Sequence, residues 1–168
     1  ETLKAGDPTD PESRLAPMAR ADLRDELHRQ MSDSVAQGAT IVCGGEPLEG
    51  PGFYYAPTII DHVAFGQPAW TEELFGPVAS VIRVNSEREA IEIANDSDFG
   101  LGGAVFTQNR ERGERIARQL ACGAAFVNGM VKSDPRLPFG GVKQSGYGRE
   151  LSYLGVREFV NIKTLWIK

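Results

Sequence analysis

The sequence predicts an α/β fold, a mostly parallel sheet with covering helices, and three observations carry that prediction. Short β-prone segments alternate with amphipathic helical stretches through the second half of the chain, an order that calls for right-handed crossovers and parallel pairing. A length of 168 residues, 41% hydrophobic and 24% charged, is enough to bury a core without disulfide or metal staples. No apolar run approaches the roughly 20 residues of a membrane-spanning helix, so no membrane partner is expected.

Residues 1–15, rich in Asp, Pro and Thr, read as a loop. From Arg20 onward Leu23, Leu27, Met31 and Val35 recur every four residues as one helical stripe, and Gly38 supplies the stop. Ala39 to Cys43 then reads as a short buried strand, and Phe53 to Ile60 as another, with Pro57 hinting at a bulge or an edge. Val78 to Val84 is the next strand. Ser86 opens a capping box with Glu89 for a helix reaching about Asp96, with Ala90, Ile91 and Ala94 inward. Leu101 to Thr107 is a strand in which Gly102 and Gly103 permit close backbone approach. Asn109 caps a helix where Glu111 can pair with Arg115 and Glu114 with Arg118. Its buried edge is Ile116 and Leu120, and Gly123 ends it. Ala124 to Asn128 is again a strand. The last residues, E-F-V-N-I-K-T-L-W-I-K, form a β-prone tail whose bare edge would invite aggregation. It must fold back onto its own sheet or add to a partner's.

A net charge of −5 argues against nucleic acid as a partner, because neutralising phosphates needs a cationic excess. Cys43 and Cys122 have no C-x-x-C spacing and read as reduced core residues of a cytoplasmic protein. His28 and His62 each stand alone, so no metal site is expected. There is no initiator methionine and no signal-like start, which suggests a piece of something longer.

Two segments could carry chemistry. In W-T-E-E-L-F-G-P-V, Trp70 to Val78, paired acids precede an aromatic and a Gly-Pro turn. A carboxylate at a strand mouth can accept hydrogen bonds from both hydroxyls of a vicinal diol; the plainer reading is a solvated acidic turn with Phe75 in the core. The second segment, Arg136 to Leu151, holds four glycines within nine residues, the mark of a tight turn or a close backbone approach. It has neither phosphate-loop nor dinucleotide-fingerprint spacing, and a packed structural loop is its plainer reading.

Taken together, E-E-L-F-G-P-V at 72–78, N-D-S-D-F-G-L-G-G-A-V-F-T at 95–107, F-V-N-G at 126–129, P-F-G-G-V-K-Q-S-G-Y-G-R-E at 138–150 and the closing N-I-K-T-L-W resemble the aldehyde dehydrogenase superfamily in order and spacing. Within it, L-A-P-M-A-R-A-D-L-R-D-E-L-H and V-K-S-D-P-R-L-P-F-G-G are most similar to bacterial succinate-semialdehyde dehydrogenases. The resemblance implies that residues 1–157 are the C-terminal portion of the catalytic domain and residues 158–168 an oligomerisation strand, with Trp166 buried between subunits. It also implies a homo-oligomer, dimer or tetramer, acting on a small aldehyde with NAD or NADP.

By the same resemblance a thiolate attacks the aldehyde, hydride passes to the nicotinamide, and water releases the acid. The family's nucleophile setting, G-Q-x-C, and general-base setting, E-L-G-G, match nothing here; Cys43 in V-C-G-G and Cys122 in A-C-G-A do not inherit the role. No catalytic residue is therefore expected in this chain, which should be inactive alone. Glu73 matches the glutamate that accepts hydrogen bonds from the nicotinamide ribose, and Phe75 the aromatic beside the nicotinamide. Phe139 helps wall the aldehyde tunnel, and Ser133 faces the distal carboxylate of the substrate. Lys132 and Arg136 flank Ser133 and could add positive charge, although solvated loop charges are their plainer reading. An enzyme for another short aldehyde, or a non-catalytic binding or assembly module of the same fold, are the alternatives.

Overall fold

A computed structural model describes residues 3–168, and these fall into two units that meet in sequence between Arg83 and Val84. In the first, helix α1 (Ala21–Ala36) stops just before Gly38, as its stripe predicts. Strands β1 (Thr40–Cys43), β2 (Thr58–Asp61) and β3 (Val78–Ser80) form one sheet in that order, and the single-turn helix α2 (Pro68–Thr71) lies between β2 and β3 in sequence. The β1–β2 pair is antiparallel, with Thr40 opposite Asp61 and an irregularity between Ile41 and Cys43; β2–β3 is parallel, with Thr58 opposite Val78. Leu27, Met31, Tyr55, Ile60, Val63 and Ala69 make the core.

The expected boundaries shrink here for identifiable reasons. β2 starts immediately after Pro57, which has no N–H for a ladder. Ahead of it Phe53 and Tyr55 make only single bridges, to Met18 and Pro47. β1 is exposed along its length rather than buried, because it is an edge strand paired on one side only, and Cys43 is exposed with it. Cys43 is therefore not a core residue.

The buried face of α1 is Leu27, Gln30, Met31 and Ser34, an i, i+3, i+4, i+7 set, while Val35 is exposed. Two of these four are polar, and both are satisfied. The Ser34 hydroxyl donates to the Gln30 carbonyl (2.7 Å) and accepts from the Ala69 N–H (2.9 Å). Buried Gln67 adds a second link, accepting from the Ala64 N–H (3.0 Å) and donating to the Gln37 carbonyl (3.0 Å).

The second unit contains α3 (Glu87–Asn95), β4 (Phe99–Gly100), β5 (Gly102–Val105), α4 (Arg110–Ala117), β6 (Ala124–Val127), β7 (Val142–Lys143) and α5 (Ser152–Arg157). The β5–α4–β6 run is the parallel crossover that the sequence predicts, with Gly102 opposite Ala124 and Val105 opposite Val127. β4 and β7 pair antiparallel, so the sheets are small and mixed. Ser86 caps α3 through the Glu89 N–H (3.1 Å), and the Glu89 carboxylate reaches Asn85 N–H (2.6 Å), one residue outside the expected box. Ala90 and Ile91 are half-buried, but Ala94 is exposed. Asn109 caps α4 through the Arg112 N–H (2.9 Å).

Glu114 and Arg118 pair at 2.6 Å as expected. Arg115 instead joins Arg112 on Glu87 (2.8 and 2.6 Å), tying α4 to the first turn of α3. Gly123 matters through close approach: a Cβ there would lie 1.7 Å from the Gly140 carbonyl oxygen. Residues 161–168 form no ladder with the described residues, and Phe159 and Trp166 are exposed. The tail does not fold back onto its own sheet.

Ser34→Ala leaves the buried Ala69 N–H without its acceptor. Urea unfolding should show a loss of about 1–3 kcal/mol, the cost of an unsatisfied buried donor; a neutral result would mean that water replaces the hydroxyl.

Candidate functional site

The E-E-L-F-G segment leaves α2 in extended backbone, with Glu72 at φ −108° and ψ 157°. Neighbouring side chains on extended backbone point to opposite sides, and the two acids accordingly meet different surroundings. The Glu72 carboxylate accepts from Arg29 (2.8 Å) and from the Gln30 amide (2.9 Å), both on α1. The same Gln30 nitrogen donates to the backbone carbonyl of Glu73 (3.1 Å). The Glu73 side chain is exposed and takes no hydrogen-bond or ion-pair partner among the described residues. One acid is committed to holding the loop, and the other is open.

Two residues on, a three-residue turn closes across Phe75, with the Gly76 N–H donating to the Leu74 carbonyl (2.9 Å). A Cβ on Gly76 would lie 2.4 Å from the end of the Leu27 side chain, so a larger residue there would have to push Leu27 aside in the core. Phe75 stands at the tip of the turn, 65% exposed, and is not the core residue of the plainer reading. Its ring lines a groove of about 410 Å³ with Leu15, Met18, Leu23, Leu74 and Pro77. This apolar surface suits a flat ring, and an unpaired carboxylate two residues away suits a diol.

The second unit carries the other two predicted residues on one loop. Asn128, at φ +54°, ends β6 by exchanging two side-chain hydrogen bonds with the backbone of Thr107 (2.8 Å each). Beyond it Ser133 and Lys132 are exposed and make no side-chain hydrogen bond or close ion pair among the described residues, although the Lys132 charge helps to lower the Asp134 carboxyl. Arg136 is different. Its guanidinium grips Asp134 through two bonds (2.9 and 2.6 Å), and its backbone N–H adds a third (2.9 Å). Those donors hold the Asp134 carboxyl down to about 2. Arg136 is thus neutralised by its neighbour, which favours the plainer reading of that cation.

Phe139 is half-buried and exchanges backbone hydrogen bonds with Glu150 (2.9 and 2.8 Å). The glycine-rich stretch after it is pinned by its own polar residues. Arg149 donates to the Gly141 and Gly148 carbonyls (2.8 and 2.6 Å), and Lys143 to those of Asn95 and Ser97 (2.7 Å each). Ser145 accepts from the Gly100 N–H (2.9 Å). That stretch is a packed loop, and Ser133 lies outside it.

Sequence reasoning missed Gln30 and the groove residues Leu15, Met18 and Leu23. The signal for Gln30 was present: with Ser34 it falls on the i+3 and i+7 positions from Leu27. Among the described residues no group of three or more His, Cys, Asp or Glu could hold a metal ion, and no helix is long and apolar enough to cross a membrane.

Comparison with known proteins extends this geometry. The model of the aldehyde dehydrogenase family matches residues 1–165. A succinate-semialdehyde dehydrogenase [NADP(+)] of Mycobacterium ulcerans is 52% identical over 98% of this chain, and a succinate semialdehyde dehydrogenase [NAD(P)+] of Escherichia coli is 50% identical over 98%. The crystal structure of succinic semialdehyde dehydrogenase from Streptococcus pyogenes in complex with NADP+ superposes with a TM-score of 0.94 at 45% identity, over 99% of this chain. The chain spans 36% of the length of each of these relatives.

The Asp134–Arg136 pair has a testable pH signature. Its folded pKa lies below the ordinary 3.8, so its contribution is present above that value and is lost as pH falls through about 2. A carboxyl NMR titration should place Asp134 near that midpoint, and Arg136→Gln should move it upward toward the ordinary range. An ordinary midpoint before the substitution would mean that Arg136 is a free cation in solution.

Proposed function

The chain belongs to the aldehyde dehydrogenase family, and from that premise we propose that it is the carboxy-terminal part of an NAD- or NADP-dependent enzyme oxidising succinate semialdehyde to succinate. The observation that carries this reading is the split between the two adjacent acids, Glu72 held on α1 and Glu73 left open, two residues before Phe75. The names of the relatives, succinate-semialdehyde dehydrogenases that use NADP or NAD(P), support the substrate and the cofactor.

In the complete enzyme a nicotinamide cofactor, when bound, would supply the hydride acceptor for the oxidation, and Glu73 and Phe75 would hold it. Glu73 accepts hydrogen bonds from the two ribose hydroxyls, charge-assisted and about twice as strong as neutral ones. Phe75 would offer its exposed ring to the nicotinamide and exclude water there. Ser133 donates its hydroxyl to the distal carboxylate of the substrate, with Lys132 adding long-range attraction. Phe139 gives the aldehyde an apolar wall. The nucleophilic thiol and the general base come from parts of the enzyme outside this chain, so neither Cys43 nor Cys122 reacts and the chain alone produces no reduced cofactor. The exposed tail, with Phe159, Ile162, Leu165 and Trp166 bare, adds as a strand to another subunit, making residues 158–168 the oligomerisation strand of a homo-oligomer.

Activity of the complete enzyme over a panel of aldehydes tests the proposal; preference for an uncharged or cationic aldehyde over succinate semialdehyde would reassign the substrate. Ser133→Ala should cost about 1.5–3 kcal/mol in kcat/KM for succinate semialdehyde, the scale of a hydrogen bond to a charged group. It should spare uncharged aldehydes of similar length; equal losses on both would make the serine a loop support only.

Glu73→Gln keeps an acceptor but loses the charge. Single-turnover hydride transfer should slow by more than aldehyde binding weakens, because the ring is then less well placed. An unchanged rate would remove Glu73 from the site.

A further inference from the structure

We infer that Gln30 is a positioning residue for Glu73, its buried amide fixing the backbone from which the ribose-binding carboxylate projects; this rests on the reading of Glu73 given above. Gln30 is 5% exposed, unusual for a glutamine within a helix that has an open polar face. Its amide nitrogen has two hydrogens and two acceptors, the Glu72 carboxylate at 2.9 Å and the Glu73 carbonyl at 3.1 Å. One NH2 group therefore grips the chain on both sides of the peptide bond that joins the two acids.

Few other side chains could do this. Glutamate would face Glu72 with a like charge and nothing to donate. Leucine or methionine would fill the space but leave the Glu73 carbonyl without its side-chain donor. The amide is itself held from both ends. Leu27, Met31 and Ser34 seat its turn of α1 in the core. Glu72 is anchored by Arg29, which also binds Glu26 (2.6 Å) and Asp33 (2.7 Å). With the Glu73 backbone fixed, its carboxylate is presented without the ordering cost that a loose loop would impose on each binding event.

The experiment uses the complete enzyme that contains this chain. NADPH and NADH affinities are measured by fluorescence titration, with KM for the cofactor, KM for succinate semialdehyde and Tm alongside. Gln30→Met, which keeps the length and removes the donor, should weaken cofactor binding about three- to tenfold, the factor of one net hydrogen bond. The aldehyde KM should move less than about twofold, as expected for a residue that acts only through Glu73. In a Glu73→Gln background the same substitution should add less than about twofold, since coupled sites are not additive.

Equal factors in both backgrounds would overturn the inference, because a general structural role does not depend on the Glu73 charge. An unchanged affinity in Gln30→Met, with Glu73→Gln still weakening the cofactor, would overturn it while leaving the role of Glu73 standing. If Glu73→Gln itself leaves affinity unchanged, the reading of Glu73 falls and this inference with it. Should Gln30→Met fail to fold, the exposed Glu72→Ala carries the test. It removes one of the two acceptors that hold the amide, so the bond to the Glu73 carbonyl loosens, and it should weaken cofactor binding at least about twofold only while Glu73 retains its charge; no change would overturn the inference.

Discussion

Hydrogen bonds from the buried side chains of Gln30, Ser34 and Gln67 join α1 to the segment that runs from Ala64 to Glu73, and the first unit takes its geometry from them. Apolar contacts of Leu27 and Met31 would hold the helix on the core in several rotations, because such contacts have no direction. A buried hydroxyl or amide allows only the arrangement in which its partners are met, since an unmet polar group costs about 1–3 kcal/mol. Among the described residues no buried side-chain nitrogen or oxygen lacks a partner. The seam therefore sets the rotation of α1, the start of α2 and the path of the loop that carries Glu73 and Phe75.

In the second unit polar side chains do comparable work at the ends of elements. Asn95 closes the α3 end by donating to the Gln119 carbonyl (2.8 Å) and accepting from the Ala121 N–H (2.7 Å), and Asn128 does the same between β6 and Thr107. Lys143, Ser145 and Arg149 fasten the glycine-rich stretch, where Gly123 allows the chain to pass against Gly140. A loop pinned this closely is a rigid base. Ser133 stands on the freer ground ahead of it, where the Asp134–Arg136 pair is the only side-chain ion pair among the described residues of 132–139. The neutralised arginine leaves an uncharged donor and one lysine as the groups available to an anion there.

Much of this was legible in the residues alone. α1, α3 and α4, the caps at Ser86 and Asn109, and the β5–α4–β6 crossover follow from local hydrogen bonding and periodicity, which act over a few residues and leave their mark in order. The family was legible because its motifs stand in register along nearly the whole chain, and Glu73, Phe75, Ser133 and Phe139 lie within those motifs or beside them.

What depended on neighbours distant in the chain was not legible. The stripe written as Leu23, Leu27, Met31 and Val35 fits a helix, but Ser34, not Val35, is buried, because Ala69 supplies an N–H for its hydroxyl to meet. β1 looked like a core strand, yet it lies exposed at an edge, since no spacing states how many neighbours a strand will have. Glu111 and Arg115 have ideal helical spacing, but Arg115 goes to Glu87 on another helix. In E-E-L-F-G the two acids are chemically alike and adjacent. Sequence by itself determined that this chain has the family's fold and where the motifs that resemble the family lie; only the tertiary structure decided that Glu72 is bound and Glu73 open, because that choice rests on where Arg29 and Gln30 of α1 arrive in space.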